Sequence, residues 1–177
     1  VYCGTGTSGK IYCCDWDGIK PDFILIGKTL AAGYGALSAV ITSSDIEEII
    51  KNGQGRLQHT TTHQAHSLSV AAALAVQQII HNDEFLENVA QNGQYMRKVL
   101  FDELSGLDYF RDIRGRGMRF SIEYKTRDNV LFSEQLANEM LKKHHIIINA
   151  KWHRVCFTPS LLLQRGQIDF ILEKFVH

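Results

Sequence analysis

Three stretches of this 177-residue sequence carry residue types whose spacing could do chemistry. The first is Lys28, which follows the apolar run Asp22 to Ile26 (DFILI) and Gly27, and precedes the small, flexible stretch Thr29 to Gly35 (TLAAGYG). A lysine at the end of a buried strand can be partly desolvated. Burial favours the neutral amine, which is the form that attacks a carbonyl carbon. Taken alone the signal is weak, since most strand-end lysines simply reach water. The second stretch is Gly4 to Lys10 (GTGTSGK), which reads both as G-x-G-x-x-G and as G-x-x-x-x-G-K. Each of those phosphate-binding patterns needs a helix to open directly after the glycines. The residues that follow (IYCCDWDGIKP) have no helical period, and Ile11 stands where a magnesium-binding Ser or Thr is required, so neither reading is adopted. The third is the loop Gln58 to Ser67, in which His59, His63 and His66 fall at i, i+4 and i+7. On one helix face that spacing could bind zinc. Thr60, Thr61 and Thr62 argue against a helix there, and no Cys or carboxylate completes a ligand set, so these are read as loop histidines that hydrogen-bond and pack.

The elements that must position these groups follow from pattern. DFILI is bounded by turn residues and reads as a buried strand, and Leu37 to Thr42 reads as another. Asp45 is the expected N-cap of a short helix that Gly53 stops. Leu68 to Ile80 is an alanine-rich, mostly buried helix. Asn82 or Asp83 caps a second helix reaching about Leu104, with an irregular stripe of Phe85, Val89, Tyr95, Val99 and Leu100. Beyond Gly106 the pattern becomes strand, helix, strand, helix. Asp112 to Tyr124 is expected to be a strand with an internal Arg-Gly-Arg-Gly turn, Ser133 to His144 a helix, Ile146 to Asn149 and Val155 to Thr158 short strands, and Gln167 to Val176 a closing helix.

Composition narrows the function classes. Nineteen basic residues balance nineteen acidic ones, for a formal net charge of zero. Nucleic-acid and anionic-membrane proteins normally show a basic excess or stripe, so neither partner is expected. No apolar run is long enough to span a bilayer, and the first residues lack a basic segment followed by an apolar one. Cys3, Cys13, Cys14 and Cys156 show no disulfide-framework spacing, which reads as reduced thiols in an intracellular protein of the cytoplasm or mitochondrion. The chain starts at Val1 in what reads as a strand end, and is expected to be a fragment or a processed chain.

Several separated motifs together resemble the class III aminotransferases, which depend on pyridoxal 5′-phosphate (PLP). These are Gly4 to Gly9, Gly18-Ile19-Lys20-Pro21-Asp22, Ile26-Gly27-Lys28, Gly33-Tyr34, Leu37 to Val40, His59 to Leu68, Ile113 to Glu123 and Phe157 to Leu161. The resemblance implies an α/β fold: the later part of a fold type I large domain, with a mixed, mostly parallel sheet and helices, followed by a small α+β C-terminal domain. The expected division is residues 1–84 for the PLP-binding part and 85–177 for the linking helix and small domain. It implies amino transfer from an amine or amino acid to a 2-oxo acid, in a homodimer with shared active sites. Lys28 would hold PLP and act as general base. Thr62 would donate to the cofactor phosphate of the partner subunit, and its other reading is an N-cap for the helix that follows.

The sequence departs from the family at three places. Thr7 replaces an Arg of the glycine motif, and Ser67 replaces a common Pro. Cys156 stands where the family often has an Arg that binds a substrate carboxylate. Arg154 lies two residues earlier, on the same strand face but displaced by roughly 6.5 Å. It is either the substrate-carboxylate contact or a solvated or paired surface arginine. The family's Asp-Glu pair, whose Asp bonds the pyridine nitrogen, falls before the position of Val1, so these residues by themselves are expected to be inactive. The alternatives are a non-catalytic remnant or regulatory paralogue, or a PLP lyase of the same fold.

Overall fold

A computed structural model of the chain describes residues 1–125 and 130–176. They form two compact units, Val1–Gly6 with Lys10–Leu86, and Thr7–Gly9 with Glu87–His177.

The first unit holds β1 (Phe23–Ile26), β2 (Ala39–Thr42), α1 (Ser44–Asn52) and α2 (Ser67–Ile80). β1 and β2 pair antiparallel, with Ile24 opposite Ile41 and Ile26 opposite Ala39. The mostly parallel sheet expected from the resemblance is thus represented here by one antiparallel pair. β1 is also less covered than its composition predicts: Ile26 is buried, while Phe23 and Leu25 are exposed. A run of apolar residues signals a strand, but only its neighbours decide how much of it is covered. The cap of α1 is Ser43, whose hydroxyl accepts from the Ile46 amide at 3.5 Å, and not Asp45. A tight cluster of Ile26, Leu30, Ala31 and Ala73 forms the core, with Tyr12, Ile24, Leu37 and Ile41 packed on it.

The second unit begins with most of α3 (Asp83–Leu104) and continues through β3 (Phe110–Arg116), β4 (Arg119–Tyr124), α4 (Val130–His144), β5 (Asn149–Lys151), β6 (Arg154–Phe157) and α5 (Arg165–Val176). Asn82 caps α3, its side-chain oxygen accepting from the Phe85 amide at 2.9 Å. The strands form one antiparallel sheet in the order β3-β4-β6-β5. Strand alternation sorts its two faces. Phe120, Ile122, Val155 and Phe157 are buried on one; Phe120 stacks on Phe157 at 4.9 Å, and Phe157 meets the edge of Phe175 from α5 at 5.0 Å. Asp112, Arg114, Ser121, Glu123, Arg154 and Cys156 occupy the other face.

The buried stripe of α3 is Val89, Gly93, Met96, Leu100 and Leu104. Phe85, Tyr95 and Val99, expected in that stripe, are only half-buried. The difference comes from Gly93, which lies against the turn between β3 and β4. A Cβ on Gly93 would sit 1.9 Å from the Gly117 carbonyl oxygen. Gly117 in turn has φ 54°, and a Cβ there would meet the Ser8 backbone at 2.5 Å. The Met118 amide donates to the Thr7 carbonyl at 3.0 Å, and a Cβ on Gly9 would meet the Ala90 Cβ at 2.6 Å. The glycine motif therefore serves close backbone packing inside the second unit. Arg97 clamps the same turn, donating to the Gly115 carbonyl at 2.6 Å and to the Gly93 carbonyl at 3.3 Å.

Candidate functional site

Lys28 follows β1 directly and opens a short 3-10 turn, Lys28–Leu30. The Leu30 amide donates to the Gly27 carbonyl at 3.0 Å, and the Ala31 amide to the Lys28 carbonyl at 3.4 Å. Leu30 and Ala31 are buried, so the turn is fixed from beneath while the lysine side chain is exposed. A second anchor comes from α2, where the Gln77 amide nitrogen donates to the Leu30 carbonyl at 2.9 Å. Beyond the turn, a Cβ on Gly35 would lie 2.8 Å from the Ser69 Cα, so the chain there runs directly against the start of α2.

Lys28 itself has φ 51°. That left-handed conformation costs a non-glycine residue roughly 1–2 kcal/mol. Such strain persists only where the surroundings over-determine it, and it concentrates at functional positions. Glycine would be the residue of choice at this backbone position, so the lysine side chain is retained against a conformational cost. The Lys28 Nζ lies 4.6 Å from the centroid of the Tyr2 ring. Nothing in the sequence signals this pairing, because Tyr2 and Lys28 are far apart in the chain and neither sits in a periodic pattern.

Thr62 lies in an exposed turn before α2. The Gln64 amide donates to the Thr61 carbonyl at 3.1 Å, and the Thr61 amide to the Gln64 side-chain oxygen at 3.3 Å, which closes the turn around Thr62. Thr62 does not cap α2. His66 does, its Nδ1 accepting from the Ser69 amide at 3.4 Å and lying 3.2 Å from the Ser69 hydroxyl. The capping role leaves the Thr62 hydroxyl outside the helix end. It also gives one of the three loop histidines a defined structural task.

Lys28 and Thr62 belong to the first unit, and Arg154 to the second. Arg154 opens β6 and is half-buried. Its register partners are Glu123 on β4 and Lys151 on β5. The Glu123 carboxylate, on the same face, lies 3.3 Å from Arg114 Nη2 and 4.0 Å from Arg111 Nε. Arg154 Nε is shielded from solvent and has no hydrogen-bond partner among the described residues. Cys156, the next residue on that face, is half-buried and free.

A family model described as aminotransferase class-III matches residues 1–177. An aminotransferase of Gibberella zeae is 34% identical over 79% of this chain and 28% of its own length. The ornithine aminotransferase of Staphylococcus carnosus is 28% identical over 98% of this chain and 41% of its own. Among solved structures, the ornithine δ-aminotransferase of Plasmodium falciparum superposes with a TM-score of 0.83 at 27% identity, covering 98% of this chain and 44% of that one. The chain thus spans less than half the length of the relatives it matches.

Proposed function

The chain belongs to the class III aminotransferase family, and from that membership we propose that it serves the transfer of an amino group from an amine or amino acid to a 2-oxo acid, with pyridoxal 5′-phosphate as cofactor. The observation that carries the reading is Lys28: an exposed amine at the end of β1, in a left-handed conformation that its turn enforces. Such a group fits a carbonyl cofactor, since it is fixed at its Cα, free at its Nζ and bordered by an aromatic ring. When bound, PLP supplies the electron sink for charge developing on the substrate Cα.

The chain's own residues supply the rest. Lys28 would hold the cofactor, and its amine, when free and neutral, would accept the proton from the substrate Cα. The Thr62 hydroxyl and the backbone N–H groups of its turn would hold the phosphate, which neutral donors can do without a fixed counter-charge. In this reading the protein is a homodimer, and Thr62 of one copy serves Lys28 of the other. Arg154 takes the substrate carboxylate, which would satisfy the donor that its own sheet leaves unmatched. The four cysteines form no disulfide among the described residues, which suits a reducing compartment, the cytoplasm or mitochondrion. Among the described residues no helix is long and apolar enough to cross a membrane.

The test is chemical. Borohydride reduction in the presence of PLP should fix the cofactor on Lys28. Peptide mapping that finds the label on Lys10, Lys20 or Lys51 instead would overturn the assignment.

A further inference from the structure

Building on Lys28 as the cofactor lysine, we propose that Tyr2 is a positioning residue for it: the face of the Tyr2 ring holds the Lys28 side chain when it is protonated and not covalently engaged. The distance of 4.6 Å from Nζ to the ring centroid lies inside the range of about 6 Å over which a ring face attracts a cation. Backbone contacts fix both partners. The Val1 nitrogen donates to the Leu25 carbonyl at 3.1 Å, which sets Tyr2 beside β1. Lys28 leaves the end of the same strand at a φ of 51°, in a turn tied to α2 through Gln77.

The kind of hold matters as much as its place. Lys51 lies 2.6 Å from Glu47, and Lys98 and Lys143 likewise meet carboxylates one helical turn away. Among the described residues Lys28 has a ring and no carboxylate. A carboxylate would tie the ammonium to a fixed anion through charge-assisted hydrogen bonds. The ring offers only its quadrupole, an attraction without a directional bond, which the side chain can leave at little cost. A lysine that must alternate between a bond to a carbonyl carbon and a free state gains from such a resting place. It keeps the amine within reach of the reacting atoms without competing for it. Because the attraction acts through the ring face, the phenol hydroxyl is not needed. Phenylalanine should therefore substitute and an aliphatic residue should not.

The test uses the full 177-residue chain, wild type, Tyr2→Phe and Tyr2→Leu, with lysines reductively methylated with carbon-13 formaldehyde so that each stays cationic. Lys28→Arg assigns the Lys28 resonance. The expected result is a Lys28 methyl signal displaced upfield by the ring current, with restricted motion, in the wild type and Tyr2→Phe. In Tyr2→Leu it should collapse onto the position and mobility of Lys51, Lys98 and Lys143, which lie against carboxylates and not rings. An undisplaced signal in the wild type, or an unchanged one in Tyr2→Leu, overturns the proposal. Borohydride mapping with PLP on the unmethylated chains is the second arm. A label on a lysine other than Lys28, with the ring-current shift intact, overturns the cofactor reading of Lys28 and with it the role of Tyr2, so the two failures are told apart.

Discussion

Gly93 of α3 lies directly against the carbonyl of Gly117, at a distance that leaves no room for a single methyl group. The contact joins the linking helix to the β3–β4 turn, and Arg97 clamps the same turn from one helical turn further along. Gly93→Ala should therefore destabilise the protein by about 1–3 kcal/mol or more, as overpacking against backbone does. Gly166→Ala, where a Cβ meets nothing within 4 Å, should be neutral or slightly stabilising, since alanine favours helix over glycine. Urea denaturation of both variants checks this, and equal midpoints would contradict the packing argument.

Lys28→Ala should abolish covalent PLP attachment and the visible absorbance that accompanies it, while leaving the fold intact because the side chain is exposed. Lys28→Gly should do the same and also relieve the left-handed strain. It is expected to be more stable than Lys28→Ala by about 1 kcal/mol. Thermal melts that rank alanine above glycine at this position would show that the turn carries no strain.

Thr62 and His66 sit close in sequence but should separate cleanly by phenotype. Thr62→Ala should weaken PLP affinity by about 1.5–3 kcal/mol, the usual cost of a hydrogen bond to a charged group, without lowering stability. His66→Ala removes the α2 cap and should cost about 1 kcal/mol of stability. Fluorescence titration with PLP, beside a denaturant series, distinguishes the two.

Arg154→Gln should raise KM for amino-acid donors far more than for simple amines in the holoenzyme, because only the former carry the carboxylate. A comparable change for both donor types would reduce Arg154 to a structural residue of β6.

The outline of this architecture is legible from local pattern. The helices α2 and α3, the Arg-Gly-Arg-Gly hairpin and the closing helix each have a period or a breaker that marks them. What is not legible depends on partners distant in the chain. The caps fell to Ser43 and His66, not Asp45 and Thr62, because a cap is decided by which side chain reaches the second or third amide of the helix. The buried stripe of α3 contains Gly93, which no hydrophobicity pattern would place in a core. β5 covers Asn149–Lys151, later than the apolar run Ile146 to Asn149 suggests, because register against β6 sets its limits. At the candidate site, Lys28 is marked by motif, whereas its anchor Gln77 and its neighbour Tyr2 are set by folding alone.

Thr7, Ser8 and Gly9 belong to the unit that otherwise starts at Glu87, and this sets an order of assembly. On the ribosome these three residues emerge ahead of the rest of their unit, since the Met118 amide that donates to the Thr7 carbonyl appears over a hundred residues later. Closing so large a loop is entropically costly and slow relative to the local contacts within α3 or the β3–β4 hairpin. The second unit is thus discontinuous, and its first segment, Thr7–Gly9, waits for the residues from Glu87 onward before it can pack. An excised piece starting at Glu87 would lack the backbone that fills the groove beside Gly117. Circular permutants that deliver Thr7–Gly9 late in synthesis should shorten that wait.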